Sequence, residues 1–383
     1  MPQALPLAAE ESFLSRGFSR RQLGRIASVL TAGAALPFYN EAAFAQRGAR
    51  GQMSEDAVRI NSNENPLGPC PEALDAISSV ARFGGRYSPH NEQGDMVKAV
   101  AGVENLKQEY ISIFAGSSDP LLRVVCAFCS PTRGFVMADP GYESGAQTAR
   151  FIGAKATHVA LRNDHSHDVQ AMVKADPNAG VIYICNPNNP TGTLTSRADI
   201  EYVIANMPKG CILLLDEAYM HFSSLIQPGS DLVNAGKDVI VLRTFSKVYG
   251  MAGIRSGMAL ARPDLLSKLR PYGVGFVPIT ALAASTASLK QPDLVPTRRK
   301  INKDIRENVF EFLDAKGYKY TKSEANHFMV DVRRPNNEVI SALAKENVMI
   351  GRPWPVWPNH VRVSVGTQAE MDRFKAAFAK VMA

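Results

Sequence analysis

The sequence predicts an α/β protein: a large domain with a mainly parallel sheet flanked by helices, followed by a smaller α+β domain. Three observations predict it. From about Tyr110 onward, short apolar runs alternate with helix-like stretches, the pattern of strands joined by helical crossovers. Polar, turn-rich motifs follow directly on several of those runs, where open α/β sheets bind their ligands. After about residue 290 the texture changes to a long charged helical stretch with scattered strand candidates.

Residues 111–114, 135–138, 156–160, 181–185, 211–215, 239–242 and 257–261 are short apolar runs and are predicted as strands. Between them, 119–129 and 196–207 carry helical spacing. Beyond 290, residues 297–313 predict a long helix. Strands at 327–332, 348–351 and 362–365 and a last helix at 369–381 complete the chain. With 383 residues there is room for two domains. The expected division is 46–85 as an N-terminal segment joining the small domain, 86–290 as the large domain and 291–383 as the small one.

Residues 1–45 have the composition of an address. Arg20 and Arg21 precede an apolar stretch from Ile26 to Leu36, and Ala43-Phe44-Ala45 supplies an A-x-A cleavage site. Positive charge, apolar region and small-residue site occur in the order of an export signal, and the arginine pair resembles the bacterial twin-arginine type. The segment departs from that pattern at Leu23 and Gly24, where Phe and Leu are preferred. The other reading is an amphipathic surface helix. Export would place the mature protein in the periplasm, the alternative being the cytoplasm.

Composition is ordinary, 45% hydrophobic and 21% charged, and the net charge of +7 is scattered, with only Arg298–Lys300 forming a basic run. That argues for a solvated surface and against a nucleic-acid partner. No apolar run is long enough for a stable membrane anchor. Five cysteines give no disulfide framework. Cys126 and Cys129 form a C-x-x-C without a second pair, so two buried core thiols are expected and no metal.

Three motifs carry the chemistry. Thr244-Phe245-Ser246-Lys247-Val248-Tyr249-Gly250 follows an apolar strand and precedes Gly253-Ile254-Arg255. A lysine there can be desolvated toward nucleophilic use, with Ser246 and Arg255 offering bonds to a phosphate. Leu213-Leu214-Leu215-Asp216-Glu217-Ala218-Tyr219 puts an acid at a strand end. That acid is structural, binds a metal or keeps a ring nitrogen protonated. Asn186-Pro187-Asn188-Asn189-Pro190-Thr191-Gly192 is by itself a turn-rich loop.

In this order and spacing, the three segments resemble fold-type I aminotransferases dependent on pyridoxal phosphate (PLP), most closely the histidinol-phosphate aminotransferase subgroup. The resemblance runs from about Asn61 to the C-terminus. It implies that Lys247 holds PLP as a Schiff base and moves the proton between Cα and C4′. Asp216 would pair with the pyridine nitrogen, Asn189 and Tyr219 with the ring's phenolate oxygen, and Tyr142 would stack on the ring. Ser117 and Ser118, after Gly116, would offer backbone N–H groups to the phosphate at a helix N-terminus. Relatives often carry acidic residues after that glycine, so Ser118 is a departure. Ser246 and Arg255 would complete the cup, and Tyr87 would reach the phosphate of the neighbouring subunit in a homodimer.

For the substrate, the resemblance assigns Arg362 to the α-carboxylate, Asn326 to cofactor or substrate, and Asn65, within residues 61–68, to a segment covering the pocket. Arg352, before Pro353-Trp354-Pro355, either meets the distal end of the side chain or is a surface arginine packed on tryptophan. The implied reaction passes an amino group from an amino-acid donor to a 2-oxo-acid acceptor. The same residues serve amino-acid oxidases and decarboxylases of this fold, and a non-catalytic regulatory protein is a further alternative.

Overall fold

Apolar runs buried on both faces build the central layer. A computed structural model describes residues 7–24, 54, 56–273 and 275–383. Its strands are β1 (Val58–Ile60), β2 (Ile111–Phe114), β3 (Gly134–Asp139), β4 (Ala156–Ala160), β5 (Ala179–Cys185), β6 (Ile212–Asp216), β7 (Val239–Thr244), β8 (Gly257–Leu260), β9 (His327–Asp331), β10 (Val348–Ile350) and β11 (His360–Ser364). Seven of them form one sheet in the order β2-β8-β7-β6-β5-β3-β4. Only β8 runs antiparallel to its neighbours, as the predicted mainly parallel sheet requires. Every residue of β5, β6, β7 and β8 is buried, which is why these strands are largely apolar without polar alternation, the buried Asp216, Arg243 and Thr244 standing at the ends of β6 and β7.

The parallel register sets the site. Cys185 lies level with Asp216, and Asp216 with Leu242. The loops that carry Asn189, Tyr219 and Lys247 therefore leave the sheet along one edge.

The smaller unit has its own core around Phe328, Val363 and Phe374. In it β1 pairs parallel with β10, and β9 antiparallel with β11. The helices Leu294–Ala315, Asn336–Lys345 and Gln368–Val381 belong to the same stretch of chain. The division into domains is less sharp than the expected limits. β1 belongs to the small unit, but Cys70 and Ala73 already lie in the large core, and Pro71–Ala81 packs against Ile279–Leu289. At the other limit, Leu294 and Val295 still pack on the large core, and Arg298 donates to Val248 O at 2.9 Å.

Residues set aside as an address are in part folded onto the large unit. Phe18 and Leu23 are buried in its core. Arg16 donates to the carbonyls of Cys126 (2.7 Å), Ala127 (3.0 Å) and Cys129 (2.9 Å), satisfying the end of the helix Ser118–Phe128. Ile26 to Leu36 and Ala43-Phe44-Ala45 lie outside the described residues. Of the C-x-x-C pair, Cys129 is buried but Cys126 only partly so. Burial pushes the Cys126 thiol up to about 12, far from a reactive thiolate.

A buried charge cluster fastens the back of the sheet. Arg243 on β7 donates to Glu217 at 2.9 Å and to Glu104 at 2.7 Å, while Glu217 accepts from Gly229 N at 3.0 Å. Arg243→Ala strands a buried carboxylate and is expected to cost about 3–5 kcal/mol in denaturant unfolding. A loss below about 1 kcal/mol, the surface-pair scale, would show that the cluster is solvated.

Candidate active site

Lys247, Asp216, Tyr219, Asn189 and Tyr142 line one cavity of about 290 Å³, which also reaches Ser117, Ser118, Ser246 and Arg255. Strand ends put them there. Lys247 follows β7, in a turn closed by Gly250 N bonding Lys247 O at 3.0 Å. Its Nζ donates to Asn63 O at 3.0 Å and Ser62 O at 3.4 Å. Those carbonyls belong to the segment 61–68. Asn63 takes a positive φ of 53° and donates from Nδ2 to Tyr219 Oη at 3.1 Å, so the same residue orients amine and phenol.

Asp216 ends β6 and is buried. Tyr183 Oη donates to its Oδ2 at 2.9 Å and Ala218 N to its Oδ1 at 3.1 Å. Burial raises its pKa to about 6, against the opposing pull of those two bonds and of Lys247.

At the other end, Ser117 and Ser118 open the helix Ser118–Phe128, whose first N–H groups have no partner within the helix. Gly116 precedes them at φ +94°, and a Cβ there would stand 2.4 Å from Arg255 Nη2. Only glycine admits both the turn and the arginine. Arg255 is itself held by Ala252 O at 2.8 Å, Ala115 O at 3.1 Å and Ser246 Oγ at 3.4 Å. An arginine, a hydroxyl and a helix N-terminus thus converge, an anion-binding arrangement.

Arg362, Arg352, Asn326 and Asn65 do not line this cavity; they bond to residues around it. Arg362, buried on β11, donates to Asn189 Oδ1 at 2.9 Å and Asn61 O at 2.7 Å. Arg352 is not at the surface: it is buried, stacks over the Trp354 ring at 3.9 Å and pairs with Glu143. Asn326 and Asn65 turn to backbone. Asn326 donates to Asn63 O and Glu64 O, both at 3.1 Å, and Asn65 to Val248 O at 2.9 Å. Both hold the covering segment, whose Ser62 and Glu64 line the cavity in place of Asn65. Tyr87 does not line the cavity; it is 83% exposed and packs on exposed Phe276.

Sequence reasoning missed Tyr183, Asn63 and Glu143. Tyr183 had a signal, a lone phenol in an apolar strand that ends beside Asp216. The other two had none, since their partners come from distant parts of the chain.

An amine, a buried carboxylate and an anion cradle at the edge of one cavity fit the aldehyde, ring nitrogen and phosphate of PLP, and define a PLP-dependent enzyme. The chain belongs to the family "Aminotransferase class I and II", whose model matches residues 55–378. It is 32% identical over 336 residues to a histidinol-phosphate aminotransferase of Moorella thermoacetica, covering 86% of each chain. It is 33% identical over 328 residues to an aromatic amino acid aminotransferase of Rhodococcus jostii, covering 85% of this chain and 90% of that one. The histidinol-phosphate aminotransferase of Sinorhizobium meliloti, solved with pyridoxal-5'-phosphate, superposes with a TM-score of 0.81 at 25% identity, over 91% of this chain and 95% of that one. The protein is a PLP-dependent aminotransferase; these relatives are aminotransferases by name, and none is an oxidase or a decarboxylase.

The raised pKa of Asp216 makes a pH-dependent prediction. In the cofactor-free protein its contribution to stability is fully present below the unfolded value near 3.8 and is lost as pH rises through about 6. Asp216→Asn is therefore expected to unfold at higher denaturant than the parent at pH 8, by roughly 3 kcal/mol, with the gap closing toward pH 4. A gap independent of pH would show that Asp216 stays ionised throughout.

Proposed function

We propose that Lys247, Asp216 and Arg362 perform transamination of an amino acid in this cavity, in a homodimeric protein that is exported to the periplasm. One observation carries the catalytic reading: the Lys247 amine, the Asp216 carboxylate and the Ser246–Arg255 anion site share a single cavity. When bound, PLP supplies a protonated ring into which the electrons of a bond at the donor's Cα are withdrawn.

The chain's own groups divide the remaining work. Lys247 Nζ would hold the cofactor through its aldehyde carbon and, freed when the donor amine takes its place, would move the proton from the donor's Cα to that carbon. Asp216, steadied by Tyr183 and Ala218 N, would pair with the ring nitrogen and keep it protonated. Ser117, Ser118, Ser246 and Arg255 would hold the phosphate, while Asn189 and Tyr219 would orient the phenolate edge. Arg362 presents a planar guanidinium to the α-carboxylate. Asn326 and Asn65 position the covering segment, which keeps water from the reacting atoms.

Subunit and destination rest on the surface. Exposed Tyr87 and Phe276 form an apolar pair where a second copy can bury them, and the resemblance places Tyr87 at that copy's phosphate. Arg20 and Arg21 are exposed at the head of the export-like segment. Replacing both with lysine is expected to retain the protein in the cytoplasm, read by cell fractionation. Unchanged distribution between fractions would remove the twin-arginine route.

The catalytic reading is tested anaerobically, by adding aromatic, acidic and basic amino acids and histidinol phosphate to the purified holoenzyme. Loss of the visible absorption band with release of an oxo acid, reversed by a 2-oxo acid, is expected. Lys247→Ala should lose turnover by at least about 10²–10⁴-fold, the range of general acid–base catalysis. Turnover unchanged in that variant would overturn the assignment.

A further inference from the structure

Beside the cavity lies a charged pair that the transfer chemistry does not use. Trp354 is buried and carries two guanidinium groups, that of Arg362 at 5.1 Å and that of Arg352 at 3.9 Å from the ring centre. Arg352 in turn holds both carboxylate oxygens of Glu143, Nη1 to Oε1 at 2.7 Å and Nη2 to Oε2. Glu143 directly follows Tyr142, which lines the cavity, and Trp354 Nε1 donates to Gly141 O at 3.3 Å just before it. The turn 141–143 of the large unit is thus fastened to 352–354 of the small one, next to the arginine that takes the donor's carboxylate.

The pair does not line the cavity itself; it stands one residue from Tyr142, which does, and across the Trp354 ring from Arg362. A guanidinium bound bidentately to a carboxylate presents no net charge. Its side chain is 6% exposed and that of Glu143 22%, so the carboxylate is the more accessible partner. A phosphate or second carboxylate arriving there finds its cation already taken and a like charge in front of it, whereas an uncharged ring meets no repulsion.

We propose that Glu143 is a specificity-determining residue that directs the site toward amino donors with uncharged, aromatic-type side chains and away from donors ending in phosphate or carboxylate. This rests on the reading that Arg362 binds the donor's α-carboxylate.

The test uses two carboxylates that lack an amino group, 3-phenylpropionate and glutarate, titrated calorimetrically into the holoenzyme. The parent binds 3-phenylpropionate more tightly. Glu143→Gln keeps the size and an acceptor for Arg352 but removes the charge, and raises the glutarate-to-phenylpropionate affinity ratio by about tenfold, the scale of one partly buried charge. Arg352→Gln, which leaves Glu143 uncompensated, moves the ratio the opposite way. Opposite signs distinguish charge from mere packing. The ratio of anaerobic bleaching rates with glutamate and phenylalanine shifts in the same direction as the affinity ratio. Ratios unchanged within about twofold, or moved in one direction by both variants, overturn the role of Glu143 while leaving aminotransfer intact. If neither carboxylate binds and no donor bleaches the band, the reading of the Arg362 site falls with it.

Discussion

A carboxylate taken out of water must be bonded or give up its charge, and Asp216 is held at the end of β6 under that constraint. The arrangement around it follows. Its level in the sheet is set by parallel pairing with Cys185 and Leu242, and its two oxygens are occupied by Tyr183 and Ala218 N. Those two donors keep it ionisable, and burial keeps water from competing for it. A ring nitrogen placed at its free edge gains a strong partner for the same reason that Asp216 alone sits uneasily there.

The rest of the cavity depends on the two units meeting at that sheet edge. Gly192, at φ +71°, lies so close to the small unit that a Cβ would fall 1.9 Å from Ser323 Oγ. Thr321 Oγ1 donates to Thr191 O at 2.6 Å, and Arg362 reaches Asn189. The loop after β5 is therefore shaped from both sides. The segment 61–66 closes the third side, tied to Lys247, Tyr219, Asn326 and Ser364. The groups around the cavity consequently come from three separate stretches of chain, which is how rigid elements preorganise a site assembled from loops.

The sheet and the reactive residues were legible because each has a local cause. Buried strands need continuous apolar runs, and their carboxyl ends are where polar motifs stand out; it was the family resemblance of those motifs that singled out Asp216, Lys247 and Asn189. Arg352 could not be placed, because its partner Glu143 lies more than two hundred residues away. The same holds for Tyr183, whose role appears only when β5 is set beside β6, and for Asn326 and Asn65, whose amides turned out to face backbone. The domain limits blurred for a similar reason: helices at both limits bury their apolar faces on the large core, which spacing along the chain does not reveal.

By itself the sequence determined the fold class, and its resemblance to fold-type I aminotransferases singled out the lysine, the carboxylate and the glycine-led turn. Each is dictated by short-range chemistry: apolar continuity, steric freedom at Gly116, and polar residues at strand ends. The tertiary structure alone decided that Asn63 lies over Lys247, that Tyr183 holds Asp216 and that Arg352 is neutralised by Glu143. These are contacts between residues far apart in the chain, and their energies depend on burial and distance that only packing creates.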